Sequence, residues 1–158
     1  MFREMRRNKQ QISREECLRL LQETPRGILS LLGDNGYPYG IPLDHLYSED
    51  DNTLYFHCAK VGHKIDALAA CDKASYCVMD QGTRINGDRA LTFNSVIVFG
   101  RLHIVESSAK KMEICTNLAK KFGNDDTSIR EELASAFPRV ACLALTVEHI
   151  SGKSVREA

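Results

Sequence analysis

The chain has 158 residues, of which 43% are hydrophobic, and its 21 basic side chains are balanced by 21 acidic ones. A chain of this length forms one domain by default and buries roughly two thirds of its unfolded surface, so neither disulfides nor a metal are needed to hold it. Balanced charge gives no overall field for a nucleic-acid backbone, no window reaches the roughly 18 apolar residues of a membrane span, and the basic run Arg3, Arg6, Arg7, Lys9 is followed by no apolar stretch of a secretory signal.

Nucleic acid and membrane are therefore not expected partners, and the expected compartment is the cytoplasm. Residues 1–11 read as an N-terminal arm ahead of a single domain that takes in the rest of residues 1–158. The first helix is signalled by Ser13 with Glu16 three residues on, a capping box, and by Ile12 and Cys17 at hydrophobic-staple spacing. Leu18, Leu20 and Leu21 follow, and Thr24-Pro25 ends it. The apolar run 27–33 then leads into Asp34-Asn35-Gly36, where Asn-Gly favours the positive backbone angles of a hairpin turn. A second strand over 37–47, the polar turn 48–52 and a third strand over 53–58 complete a meander. A short helix from His63 to about Cys71 follows Gly62, and residues 74–79 return as strand.

The stretch 90–106 carries the longest β-rich run, with Gly100 marking a bend or bulge of the sort that closes barrels. Met112, Cys115, Leu118, Ala119 and Phe122 recur at helical spacing, with Gly123 as the stop. Another short helix is expected over 128–136. The last strand is expected over 140–150, with Ala141, Leu143, Leu145 and Val147 on one face. Six or so strands with peripheral helices indicate an α+β, mainly β, domain on a closed or partly closed antiparallel barrel.

Two segments stand out chemically. Between Tyr37 and His45, Pro38 and Pro42 lack backbone donors and point at one strand edge with Gly40 between them, so that edge is unpaired and bare enough for a flat ligand to approach. A plain edge strand guarded against aggregation has the same appearance. Between Phe56 and Leu68 a strand end passes through a small-residue loop into a helix without a Ser, Thr, Asp or Asn cap. Opened by Gly62 and carrying His63 and Lys64 in its first turn, such a start suits a phosphate monoester. A glycine-capped surface helix with solvated charges is the alternative, and Asp66 favours it.

His45, His57, Cys58 and His63 fit no standard zinc spacing, and no metal site is expected. Cys58 with His57 or His63 could form a nucleophilic pair, though nothing in the sequence orients one. The six cysteines (Cys17, Cys58, Cys71, Cys77, Cys115 and Cys142) contain no C-x-x-C pair and read as buried reduced thiols. His103 and His149 lie in strand patterns as ordinary barrel residues.

Taken together, Met5-Arg6-Arg7, the segments 36–43 and 56–68, Asn94-Ser95-Val96 with the strand after it to Arg101, and Ile150-Ser151-Gly152-Lys153 resemble the nitroimidazole-resistance branch of the pyridoxamine phosphate oxidase-like flavoproteins. The resemblance spans nearly the whole chain in order, and its most specific part is the stretch from His57 to Lys64. It implies a six-stranded antiparallel split β-barrel, a homodimer, and FMN held in a groove between the subunits. By the same resemblance the phosphate rests on His63 and Lys64 beside Gly62, and the ring edge meets Ile41, Pro42 and Leu43. His57, Cys58 and Ala59 line the ribityl chain and ring, while Asn94, Ser95 and Val96 approach from the partner subunit.

Arg139 and Phe137 are expected at the groove rim, Arg6 and Arg7 near the phosphate, and His57 or His45 nearest a small-molecule substrate. The arginines and C-terminal pattern by which the pyridoxamine phosphate oxidases proper hold their substrate are missing, which disfavours vitamin B6 oxidation. Three functions follow from these observations: an FMN-dependent oxidoreductase, a non-catalytic FMN carrier or sensor, and a barrel binding haem through a histidine.

Overall fold

The computed structural model describes residues 1–84, 87, 89–123 and 126–156, with the backbone alone at 126, 128, 130 and 132. Helix α1 (Arg14–Glu23) begins at the expected capping box: Glu16 N donates to Ser13 Oγ at 3.1 Å, and Ser13 N donates back to Glu16 Oε2 at 2.8 Å. Strand β1 (Arg26–Leu32) leads to a 3-10 turn at Asp34–Gly36. There Asn35 and Gly36 take φ 55° and 78°, the left-handed angles that an Asn-Gly turn supplies.

The expected strand 37–47 is broken in two, β2 (Pro38–Asp44) and β3 (Leu46–Ser48). The break falls at the buried His45, where the chain changes pairing partner from Arg26 opposite Asp44 to Tyr55 opposite Leu46, and the described residues therefore hold seven strands where six were expected. There follow β4 (Thr53–Ala59), α2 (His63–Ala70), β5 (Lys73–Met79), β6 (Thr92–Ile104), α3 (Ser108–Lys121), α4 (Asp126–Ala136) and β7 (Val140–Arg156). β7 outruns the expected 140–150 because its second half pairs with the first half of β6, from Thr92↔Arg156 to Ile97↔Ser151.

The seven strands among the described residues form one antiparallel sheet, in the order β2-β1-β5-β6-β7-β4-β3. The sheet curls into a split barrel with peripheral helices, an α+β fold. The bend in its two longest strands falls at a bulge between Phe99 and Gly100. A Cβ on Gly100 would collide with the carbonyl of Thr146, so only glycine allows the strands to pass this closely.

Alternation along the strands divides the apolar residues between two clusters. Inside the curl lie Leu29, Leu31, Leu54, Phe56, Tyr76, Val78, Val96, Val98, Leu143 and Leu145, joined by Cys17, Leu20 and Leu21 of α1. On the outer face of β4 and β7, Tyr55, Cys142 and Ala144 meet Ile114, Cys115 and Leu118 of α3. Burying each of these large aliphatic side chains contributes about 1.5–3 kcal/mol, which holds α3 to the sheet.

The outer face of β1, β5 and β6 is not covered in this way. Ile28, Cys77 and Ile97 form a row across the three strands there, with Phe99 and Met79 on the same face. Ile28, Met79, Ile97 and Phe99 are all exposed. The N-terminal arm reaches the edge of this region, where the Phe2 ring stacks on His149 at 4.7 Å and on Phe99 at 5.6 Å. Of the cysteines, Cys17, Cys58, Cys115 and Cys142 are buried as expected, whereas Cys71 and Cys77 are partly exposed. Among the described residues no helix is long and apolar enough to cross a membrane.

Candidate functional site

β4 ends at Ala59 and the chain turns through Lys60, Val61 and Gly62 into α2. Gly62 has φ 117°, a backbone state that L side chains rarely adopt, and the space where its Cβ would stand is open. No side chain caps α2, so its first N–H groups keep the partial positive charge of a helix start; Asp66 offsets part of it from the first turn.

Beside this tip runs an open groove of about 500 Å³. One wall is Leu43 of β2 with His57, Cys58 and Ala59 of β4, and Lys64 of α2 faces it. Ala136, Arg139 and Val140, from the passage between α4 and β7, close the far side. Six of the residues expected to hold a cofactor therefore come together: Leu43, His57, Cys58, Ala59, Lys64 and Arg139. Two of them are cations. Ala136 and Val140 were not anticipated, since small apolar residues in a helix end and a strand start carry no signal of their own.

Others of the expected set stand elsewhere. The His63 ring stacks on Tyr39, with centroids 3.9 Å apart, and its Nε2 lies 3.6 Å from the Asp34 carboxylate. It packs beside the hairpin and does not line the groove. Pro42 is exposed and Ile41 half-buried on β2, which forms one edge of the sheet. Both prolines thus sit on an edge strand, as their missing donors require.

Asn94, Ser95 and Val96 lie on β6 and line no part of their own chain's groove. The Asn94 backbone N and Nδ2 donate to the two Asp80 oxygens at 3.0 and 2.8 Å, and the Val96 side chain is fully buried in the core. Phe137 lines a different cavity, with Met112 and Leu133, and neither Arg6 nor Arg7 reaches the groove.

His45 is a correction to the expected substrate-side residues. It is 0% exposed, with Nε2 2.6 Å from the Leu21 carbonyl and Nδ1 2.9 Å from the Tyr76 hydroxyl. Its Nε2 must donate, because a carbonyl can only accept, so Nδ1 shares the Tyr76 proton with the Leu43 carbonyl at 2.7 Å. Burial, aided by the Lys121 ammonium, lowers the His45 pKa to about 4. It is a neutral core residue.

Cys58 is no ready nucleophile either: burial pushes its thiol up, and the opposing influence of Lys64 is smaller. His57 is exposed and is the histidine that lines the groove. No three of the described His, Cys, Asp and Glu side chains gather as metal ligands would.

This arrangement can bind an anion at one point and a flat apolar body along Leu43 and Ala59. A family model described as pyridoxamine 5′-phosphate oxidase matches residues 13–154. The chain belongs to this family. No curated protein matches it in sequence.

Solved structures share the family fold at low identity. A candidate 5-nitroimidazole antibiotic resistance protein from Bacteroides thetaiotaomicron superposes with a TM-score of 0.77 at 17% identity, over 92% of this chain and 87% of that one. An FAD-binding protein from Mesorhizobium loti gives 0.69 at 23% identity, over 92% and 96%. An FAD and haem binding protein from Mycobacterium smegmatis gives 0.70 at 24% identity, over 91% and 72%.

Proposed function

We propose that the chain binds FMN in this groove, between two copies of itself, and works as an oxidoreductase on a small molecule. The observation that carries the proposal is the convergence of Lys64 and Arg139, next to the uncapped tip of α2, on a groove with an apolar wall. A phosphate monoester is an anion whose oxygens suit charged donors and a helix start. A flat ring system suits Leu43 and the donor-poor β2 edge, where Pro38 and Pro42 offer no N–H and Gly40 no side chain.

When bound, the flavin supplies hydride or electron exchange at N5. The chain's residues supply the rest. Lys64 and Arg139 hold the phosphate, Cys58 and Ala59 border the ribityl chain, and Leu43 borders the ring. His57 is the polar side chain placed to meet a substrate. The uncovered row Ile28, Cys77 and Ile97 supports a second copy seated on that face, and Ser95 shares the face with Ile97, so Ser95 is the residue of the expected set that a second copy would bring toward the groove.

Titration of the purified protein with FMN, followed by fluorescence, tests the assignment. Lys64→Ala and Arg139→Ala should each weaken binding by roughly tenfold or more, the loss of about 1.5–3 kcal/mol expected when a charged donor is removed. Unchanged affinity in both variants removes the phosphate site from this groove. Parallel titration with FAD separates the two flavins, and a Soret band in place of flavin bands would assign the groove to haem, with His57 as the ligand within reach. Anaerobic bleaching by NADH or NADPH, then rapid reoxidation by an added acceptor, distinguishes an enzyme from a carrier.

A further inference from the structure

Two thiols outside the groove carry chemistry that the flavin reading does not use. Cys115 of α3 and Cys142 of β7 are both buried, and their Sγ atoms are 3.6 Å apart although 27 residues separate them in the chain. Cys142 is closed off at 0% exposure, whereas Cys115 lines a cavity of about 320 Å³ together with His57, Leu118 and Phe122. One sulfur is therefore reachable by a small solute, and the other stands directly behind it.

The environments of the two thiols also differ. The contact with Cys115 and burial together raise the Cys142 pKa, and the Cys142 thiol also donates to the Lys111 carbonyl at 3.9 Å. Cys115, which borders the cavity, is the sulfur a peroxide meets first, and the enclosed Cys142 beside it is placed to resolve the oxidised form. Cys58 is no rival partner: it pairs with Ala141 in the sheet register and points into the barrel, while Cys142 faces α3.

We propose that Cys115 and Cys142 form a reversible redox pair, oxidised to a disulfide by hydrogen peroxide or an organic hydroperoxide entering the cavity. The Cys115 sulfur attacks the peroxide oxygen, the O–O bond breaks, and Cys115 becomes a sulfenic acid as one water (or alcohol) leaves. The Cys142 thiol then attacks that sulfur, the S–O bond breaks, and a second water leaves as the S–S bond forms. Two thiols are oxidised by two electrons and the peroxide is reduced by two. Closing 3.6 Å to the roughly 2.05 Å of a disulfide takes a rotation of the two side chains with a small movement of α3 toward the sheet. Because Cys142 pairs with His57 in the register, the bond would tie α3 to β7 directly beside β4, the strand that walls the groove.

The experiment treats the folded full chain with hydrogen peroxide, blocks free thiols with N-ethylmaleimide, and maps the digest by mass spectrometry. The expected result is a Cys115–Cys142 linked peptide, two of the six thiols lost to alkylation, and full recovery with dithiothreitol. In Cys142→Ser the oxidation should stop at a dimedone-reactive sulfenic acid on Cys115, and Cys115→Ser should give neither product. The wild-type map decides even where a variant fails to fold. If the partly exposed Cys71 and Cys77 are oxidised while Cys115 and Cys142 remain alkylatable, or if the linked peptide forms only after unfolding in urea, the proposal is overturned.

Discussion

His45 illustrates how a residue with catalytic credentials is recruited to structure. Its ring joins the Leu21 carbonyl at the end of α1 to the Tyr76 hydroxyl of β5, and burial holds it neutral with a pKa near 4 against the ordinary 6.5. The unfolded chain takes up a proton below pH 6.5 while the folded chain resists until about pH 4. Stability is thus complete above pH 6.5 and drains away as the pH falls toward 4, by about 3 kcal/mol over the window. Urea midpoints measured at pH 7 and pH 5 should show wild type losing more stability on acidification than His45→Gln, whose side chain does not titrate. Equal losses in the two proteins would mean that other groups govern the acid limb.

At the scale of elements, the bulge at Gly100 determines the shape of the molecule. β6 and β7 run alongside each other for most of their lengths, and their bend lets the sheet curl around the core. Gly100→Ala drives a methyl group into the Thr146 backbone, which cannot rotate away as a side chain would. A loss of about 3 kcal/mol is expected, at the upper end of overpacking costs, and is measurable by urea denaturation.

Gly100 was legible in the sequence because a glycine weakens the interior of a long β-rich run unless the strand bends or is closely approached there. The capping box of α1, the Asn35-Gly36 turn and the uncapped start of α2 were legible too, all set by neighbours within a few residues. The break between β2 and β3 was not, because at His45 the chain changes pairing partner from β1 to β4, and the residues that hold His45 there, Leu21 and Tyr76, are 24 and 31 positions away. The groove divided in the same way. Lys64 follows from its place at a glycine-led helix, whereas the capture of His63 by Tyr39 and Asp34 required knowing which hairpin packs beside α2.

At the scale of the whole molecule, the sheet is covered unequally. α3 shields the outer face over β4 and β7, yet the face over β1, β5 and β6 offers Ile28, Met79, Ile97 and Phe99 to solvent on adjacent strands. A contiguous apolar patch of this kind on a small domain marks an association surface. Two copies related by a twofold axis would each bury the same row, the self-complementary contact of a closed dimer. Ile97 lies within the row, so Ile97→Lys places a charge where the second copy must pack, and a desolvated unpaired ammonium opposes association strongly.

Sedimentation velocity should find wild type dimeric at micromolar concentration and Ile97→Lys monomeric, with unchanged circular dichroism because the side chain is already 41% exposed. Met112→Lys, at a position of 40% exposure on α3, serves as the control and should leave the dimer intact. FMN affinity should fall along with dimerisation in Ile97→Lys, because the groove of each copy would lose the Ser95 proposed to approach it from the second copy. A monomer that binds FMN as tightly as wild type would confine the site to one chain, and a wild type that sediments as a monomer would leave the apolar row without the occupant proposed for it.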